Sequence, residues 1–291
     1  MITSKTSFLA LIGNPVSQSL SPIIQNKALQ YLGLDLIYIS IPVEKENLTL
    51  VINSLKKINC IGLNITIPYK EKVFNLCSEV SPIAQKLKAV NTLKLNSEKE
   101  WSGTNTDVDG FIYPLKNLNL AHKKALILGS GGACRSVIQG LINLNLSKIT
   151  IISRNNKTLD ELINNFKNYN QVKGFNNNNE QIPNLIEDAD LIINTTPVGM
   201  KREINNETYL PFGEKFWEPI NAKTTIYDLI YNPAPTPLLK LAEKKGCMTI
   251  DGTYMLVAQG AKSLSFWTNG IEAPFEIMHE ALKNVLDKKL N

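Results

Sequence analysis

The sequence predicts an α/β protein made of two α/β units, and three observations carry that prediction. Its 291 residues are long enough for two domains of ordinary size. Short apolar runs alternate with helix-periodic segments from the start, the rhythm of βαβ units around a mostly parallel sheet. In mid-chain an apolar run leads straight into a glycine-rich turn and a helix opening.

In the first half, residues 8–12, 36–41, 60–65 and 89–95 are apolar runs of strand length, with helix spacing over 23–32 and 44–58. A second series of strands falls at 125–128, 149–152, 191–194 and 225–229, with helices opening near Gly131, Thr158 and Gln181. The polar stretch 168–180, which contains the asparagine run 176–179, reads as a solvent loop, and so does 199–208. The last third changes character: 238–245, 255–267 and 275–288 all carry helix spacing and are free to close back over either unit.

Composition narrows the function classes. Hydrophobic residues make up 43% and charged residues 20%, which is the balance of a folded globular protein. The four cysteines form no Cys-x-x-Cys pair and His122 and His279 are the only histidines, so a zinc site is not expected. Residues 8–12 are too short for a signal core and no run approaches a membrane span, so a cytoplasmic protein without a membrane partner is expected. A net charge of +5 is spread along the chain rather than gathered into a stripe with aromatics, which argues against nucleic acid and leaves room for a small anionic ligand.

The glycine-rich turn is Gly129-Ser130-Gly131-Gly132-Ala133-Cys134-Arg135. Gly129 permits the tight turn, Gly131 lets the backbone approach a pyrophosphate, and the helix opening offers unpaired N–H groups to the anion. Cys134 stands where the dinucleotide fingerprint wants a third small residue. At the end of the next strand, an NAD site would place an acid for the ribose 2′-hydroxyl; here the residues are Ser153 and Arg154. A planar guanidinium can stack on adenine and pair with a 2′-phosphate, and Lys157 adds charge nearby, so NADP is the expected cofactor.

Hydride chemistry on an alcohol also needs a proton acceptor. The Tyr169/Lys173 pair falls in the asparagine-rich stretch and neither histidine is well placed, which leaves a lysine or a carboxylate. The first unit offers candidates near its strand ends. Asn64 and Thr66 are two apart on one side of an extended segment that Pro68 terminates before Lys70. Asn91 ends another apolar run, and Asp107 precedes the helix leading into the second unit, where it would also serve as a helix cap.

Taken together these motifs resemble the shikimate dehydrogenase family along essentially the whole chain. Ser19-Leu20-Ser21-Pro22 resembles that family's Ser-x-Ser-Pro, and residues 64–70 its Asn-x-Thr-x-Pro-x-Lys. Residues 89–92 resemble Ala-Val-Asn-Thr, and 105–110 resemble Asn-Thr-Asp-x-x-Gly. Gly129 to Arg135, Ser153-Arg154, 194–200, 227–233 with Thr236-Pro237, and Asp251-Gly252 with Met255 and Gln259 complete the match. Ser153 and Asn155 depart from the Asn-Arg-Thr usual around that arginine.

The resemblance implies a substrate-binding lobe, residues 1–106, a Rossmann-like NADP-binding lobe, 107–240, and C-terminal helices, 241–291, that return to the first lobe. It implies reversible, NADP-dependent reduction of 3-dehydroshikimate to shikimate, a step of aromatic amino-acid biosynthesis. Lys70 and Asp107 are then catalytic, with Lys70 the general acid and base. Ser19 and Ser21 hold the substrate carboxylate, and Asn64, Thr66, Asn91, Tyr231 and Gln259 line the rest of the pocket. Gly129, Ser130, Gly131, Gly132, Ala133, Ser153 and Arg154 hold the dinucleotide, and Leu229 and Gly252 sit against the nicotinamide. Two other readings stand beside this one: an enzyme of the same family that uses quinate or NAD, and a catalytically silent NADP-binding regulator. A homodimer is the assembly to test.

Overall fold

The computed structural model describes residues 2–200 and 209–288. The chain divides into two compact units, one formed by 1–110 with 256–291 and the other by 111–255. The divisions expected after residues 106 and 240 therefore shift. Asp107 belongs with the first unit because its carboxylate and the Thr106 backbone are both bonded to the Asn91 side chain. Residues 241–255 stay with the second unit because they contain a strand of its sheet.

In the first unit the strands are β1 (Ser7–Gly13), β2 (Leu36–Pro42), β3 (Cys60–Ile65), β4 (Glu79–Val80), β5 (Thr92–Leu95) and β6 (Trp101–Thr104). They lie in the order β2-β1-β3-β5-β6-β4. The helices are α1 (Ser21–Tyr31), α2 (Leu48–Leu55), α3 (Lys70–Phe74), α4 (Pro82–Leu87) and α5 (Asp107–Ile112). β1, β2 and β3 run parallel, as their helical crossovers require. β5 runs antiparallel to both β3 and β6, so this sheet is mixed rather than mostly parallel. The reason is the short connection at 96–100: it closes a hairpin, in which Asn96 Oδ1 accepts from the backbone N–H groups of Glu98 and Glu100. β6 escapes the sequence reading because Trp101 is its one large apolar residue; the indole is fully buried and donates to Ile52 O at 2.9 Å. Local chemistry sets the helix starts. Ser81 caps α4 by accepting from Ala84 N, and Pro82 and Pro22 occupy first-turn positions that need no N–H.

The second unit holds β7 (Lys124–Leu128), β8 (Lys148–Ser153), β9 (Val172–Asn176), β10 (Leu191–Asn194), β11 (Thr225–Asp228) and β12 (Met248–Ile250). Its order is β12-β11-β10-β7-β8-β9, and every pairing is parallel. The helices are α6 (Gly132–Asn143), α7 (Asn156–Asn165), α8 (Ile182–Glu187) and α9 (Pro237–Lys244). Because both faces of a parallel sheet are covered, its strands read as continuous apolar runs, and Ile127, Leu128, Ile151, Ile152, Ile192 and Ile193 are all fully buried. Part of the expected loop 168–180 is strand β9. It pairs with β8 from Ile149↔Val172 to Ser153↔Asn176, buries Val172, and at Gly174 lets Leu159 and Ile163 of α7 pack close. An edge strand pairs on one side only, so it needs few apolar residues, and the asparagines obscure it. Of the other expected loop, residues 201–208 lie outside the described residues.

Two long helices, α10 (Gly252–Trp267) and α11 (Phe275–Lys288), close the chain, and both carry the chain back onto the first unit. Trp267 Nε1 donates to Leu93 O at 2.8 Å and its ring lies 6.0 Å from that of Tyr38, while Gln25 Nε2 donates to Gly260 O at 2.9 Å. Among the described residues no helix is long and apolar enough to cross a membrane.

Trp267 thus ties α10 to the central strands of the first sheet. Trp267→Ala is expected to cost about 3–5 kcal/mol by leaving a large void. Trp267→Phe, which keeps most of the packing but removes the indole's bond to the Leu93 carbonyl, should cost less, about 0.5–1.5 kcal/mol. Urea unfolding of the two variants checks the order; equal losses would mean that the hydrogen bond, not the packing, dominates.

Candidate active site

Ligands of open α/β sheets gather beyond the carboxyl ends of the strands, at the point where strand order reverses. In the first sheet that point lies between β1 and β3. Ser19 and Ser21 follow β1, and Thr66 and Lys70 follow β3. Because β5 is antiparallel, it starts at the edge where β3 ends, and β6 ends there as well. This brings Asn91, just before β5, and Asp107, just after β6, to the same edge as Lys70.

Lys70 opens α3, and its Nζ donates to Asp107 Oδ2 at 2.6 Å; the two side chains are 28% and 11% exposed. The other carboxylate oxygen, Oδ1, accepts from Asn91 Nδ2 at 2.8 Å. Asn91 Oδ1 in turn accepts from the Thr106 backbone N–H at 2.9 Å. The amide thus grips both the backbone before Asp107 and its side chain, and the backbone N–H of Asp107 is held by Asn105 Oδ1 at 3.0 Å.

Around this pair stand uncharged polar groups. Ser21 N donates to Ser19 Oγ at 3.2 Å, which fixes the short turn that presents the two hydroxyls. Burial pushes the Tyr38 phenol above its ordinary range, an effect that the neighbouring Ser21 side chain partly opposes. Tyr38 donates to Asn64 Oδ1 at 2.8 Å. Asn64 Nδ2 has three acceptors within 3.1 Å, namely Asn91 O, Thr92 Oγ1 and Ser263 Oγ. Both Asn64 amide hydrogens are thus committed inside the fold, while Oδ1, holding one bond from Tyr38, keeps a second lone pair. Thr66 is half-buried just past β3, and Gln259 is half-buried on α10, its Nε2 donating to Leu256 O at 2.8 Å.

In the second sheet the order reverses between β7 and β10. Gly129, directly after β7, has φ +96°, and a Cβ there would stand 2.8 Å from Thr196 Cγ2, so both the backbone and the space require glycine. Gly131 caps α6, and its Cα, like that of Gly132, faces open space where a side chain would otherwise stand between an anion and the helix N–H groups. Ser130 Oγ lies 2.7 Å from the hydroxyls of both Ser153 and Thr158, which links the turn to the end of β8 and the start of α7. Asn155 caps α7 by accepting from Thr158 N. Arg154 is exposed at the end of β8 and lines a cavity of about 490 Å³ with Asn177, Thr196 and the segment 209–213. No carboxylate lines that cavity among the described residues. A dinucleotide bearing an additional phosphate fits this arrangement: backbone donors for the pyrophosphate, and a guanidinium with no acid beside it among the described lining residues.

Leu229 follows β11 and Ala133 lies in the first turn of α6. A Cβ on Gly252 would stand 2.1 Å from Leu229 O, so the opening of α10 approaches this backbone as closely as a glycine allows. Tyr231 lies in the second unit, where burial raises its phenol above the ordinary value. The first-unit candidates Lys70, Asp107 and Asn91 form one bonded set, and Asn64 joins it through the Asn91 carbonyl.

The sequence reading misses several participants. Tyr38 sits in an apolar strand and Ser263 in an apolar helix; the available signal is that Gln259 and Ser263 are four apart, on one helix face. Thr92 and Thr106 lie inside the quoted motifs but carry no assigned role. In the second unit, fully buried Asp228 accepts from Thr236 Oγ1 at 2.6 Å, Asn194 Nδ2 at 2.9 Å and Ile230 N at 3.2 Å, and so fixes the turn on which Leu229 sits.

Three family models match the chain: the shikimate dehydrogenase substrate binding domain over residues 11–93, shikimate/quinate 5-dehydrogenase over 114–207, and the shikimate 5′-dehydrogenase C-terminal domain over 252–283. The NADP(+) shikimate dehydrogenase of Prochlorococcus marinus is 71% identical across 98% of this chain and 100% of its own length. Crystal structures of shikimate dehydrogenase from Aquifex aeolicus, and of the Thermus thermophilus enzyme in complex with NADP(H) and shikimate, superpose with TM-scores of 0.85 and 0.82. Their sequence identities are 32% and 30%, the matches covering 97% and 96% of this chain and 99% of each of theirs.

Asp228 offers a test of the second unit. Burial, partly offset by its three hydrogen bonds and reinforced by the charge of Asp251, pushes its carboxyl up to about 6. The folded form therefore holds this proton more tightly than the unfolded chain. The associated stability is full below the unfolded value of 3.8 and is lost as pH rises through about 6. Carboxyl ¹³C NMR should show Asp228 titrating with a midpoint near 6, and a midpoint below about 4.5 would contradict the burial argument.

Proposed function

The chain belongs to the shikimate dehydrogenase family, and from that premise we propose that it catalyses the reversible, NADP-dependent reduction of 3-dehydroshikimate to shikimate. The observation that carries the reading is the Lys70–Asp107–Asn91 set at the carboxyl edge of the first sheet, with Lys70 Nζ 2.6 Å from the carboxylate.

Shikimate presents one carboxylate and three hydroxyls on a small ring, and each needs a partner once water is excluded. The Ser19 and Ser21 hydroxyls take the carboxylate. Thr66, Asn91, Asp107, Lys70 and Gln259 face the ring hydroxyls. Asn64 supports this wall through its bonds to Tyr38, Thr92 and Ser263. In the oxidation of shikimate, neutral Lys70 accepts the C3 hydroxyl proton; in the reductive direction, Lys70 as ammonium donates that proton to the oxygen of 3-dehydroshikimate. Asp107 keeps the amine aimed and balances its charge, and Asn91 keeps Asp107 from turning away. NADP, when bound on Gly129–Ala133 and Arg154, supplies the hydride acceptor in one direction and the hydride donor in the other. Leu229 and Gly252 offer a backbone surface to the nicotinamide, and Ser153 braces the strand end that carries Arg154. All four cysteines are unpaired, which suits a reducing cytoplasm.

Lys70→Ala and Asp107→Ala should each lower kcat by about 10²–10⁴-fold while the Kd for NADP changes little. Near-normal turnover in Lys70→Ala would remove the lysine from the proton path. Arg154→Ala should raise KM for NADP by about 10–100-fold and leave KM for NAD nearly unchanged. Steady-state kinetics with shikimate and quinate, each with both coenzymes, checks both predictions. Preferential quinate turnover would shift the substrate reading, and coenzyme binding without turnover of either acid would point to the silent regulator.

A further inference from the structure

Helix α10 contributes one more residue to the first-unit site, and it lies behind the ligand-facing groups. Ser263 is fully buried. Its Oγ lies 2.8 Å from Thr92 Oγ1 and 3.2 Å from Thr106 Oγ1, accepts from Asn64 Nδ2 at 3.0 Å, and is within 2.9 Å of the Gln259 carbonyl one turn back. Each partner is one bond from a group assigned to the substrate. Thr106 Oγ1 accepts from Asn91 Nδ2 at 2.9 Å, and Thr92 Oγ1 donates to Asn91 Oδ1 at 2.9 Å. Asn64 Nδ2 also donates to the Asn91 carbonyl at 3.1 Å. One hydroxyl therefore sits directly behind the proton-transfer end of the site, Asn91–Asp107–Lys70, and reaches Asn91 through three partners.

Helix packing alone does not ask for a hydroxyl in such a place. A serine in a helix interior gains little from bonding its own preceding turn, and burying it costs free energy unless its bonds are made. Here three elements of the site, the end of β3, the start of β5 and the segment leading into α5, supply those bonds, and none of the partners is charged. We propose that Ser263 is a positioning residue for the reaction: it fixes the rotamers of Thr92 and Thr106, which fix the Asn91 amide and through it the Asp107 carboxylate that aims Lys70. The proposal rests on the shikimate dehydrogenase reading of the site and adds to it a residue that touches neither substrate nor coenzyme.

Ser263→Ala deletes the hub and leaves Asn64, Thr92 and Thr106 to re-pair among themselves, which frees Asn91 to rotate. Expected are a fall in kcat of about tenfold or more, a displaced pH–kcat profile, and KM for NADP within about twofold of the unaltered enzyme. Ser263→Cys, of nearly the same size and with a weaker hydrogen-bonding group, should lie between the two, and it stands in if the alanine variant does not fold. A variant with lowered Tm but with kcat within twofold and an unchanged pH profile would reduce Ser263 to a packing residue and overturn the proposal. The unaltered enzyme, assayed alongside, keeps the two questions apart: no shikimate oxidation by it would sink the functional reading, whereas normal oxidation by it with an indifferent variant sinks this inference alone.

Discussion

Everything at the first site depends on one neutral amide. Asn91 donates to the Asp107 carboxylate and accepts from the Thr106 backbone N–H, so a single side chain fixes both the path of the chain into α5 and the orientation of the acid at its start. Without that grip, Asp107 would be a flexible carboxylate at a helix opening, and its bond to Lys70 would be one of several geometries for an ion pair that is only partly shielded from water. Exposed ion pairs are weak because holding two mobile side chains costs what the attraction supplies. Here one partner is already fixed before the pair forms, which is how a modest interaction becomes a defined distance.

The two units solve the ligand problem with different parts of the chain. The second uses backbone: its glycine turn and the opening of α6 present N–H groups that any pyrophosphate would accept, and one exposed arginine adds selectivity. The first uses side chains, and nearly all of them are uncharged hydroxyls and amides bonded to one another. A buried polar network is costly when any member is unpaired and stiff when all are paired. In the set joining Tyr38, Asn64, Ser263, Thr92, Thr106 and Asn91, every side-chain oxygen and nitrogen has a partner. That stiffness suits a small polar ring, whose hydroxyls differ from one another in direction far more than in chemistry.

How legible this was in the sequence varies with the physics of each element. The parallel sheet of the second unit announces itself, because strands covered on both faces are unbroken apolar runs, and the turn at Gly129 is marked by a residue type that the backbone conformation demands. β6 and β9 do not announce themselves: one relies on a single tryptophan and the other is an edge strand ending in asparagine, so tertiary pairing decides what local pattern leaves open. The antiparallel turn of the first sheet was likewise hidden, yet it is what carries Asn91 and Asp107 to the edge where Lys70 begins its helix. Motifs single out the candidate ligand-facing residues because these crowd into short segments. The residues behind them, Tyr38 and Ser263, lie far away in sequence on elements whose apolar periodicity looks complete without them.

The departure at the arginine of the second unit follows the same logic. Where the family pattern sets Asn and Thr around this arginine, the chain has Ser153 and Asn155, and the structure shows what each does in its place. Asn155 caps α7, and Ser153 joins Ser130 and Thr158 in a hydroxyl cluster that ties the end of β8 to the glycine turn. An arginine at a strand end reads a phosphate only as well as its backbone is anchored, since the long side chain supplies reach but little direction of its own. Anchoring that backbone to the glycine turn couples the two candidate phosphate-binding elements to one another. The substitution of the flanking residues therefore conserves the constraint on Arg154 while changing the atoms that impose it.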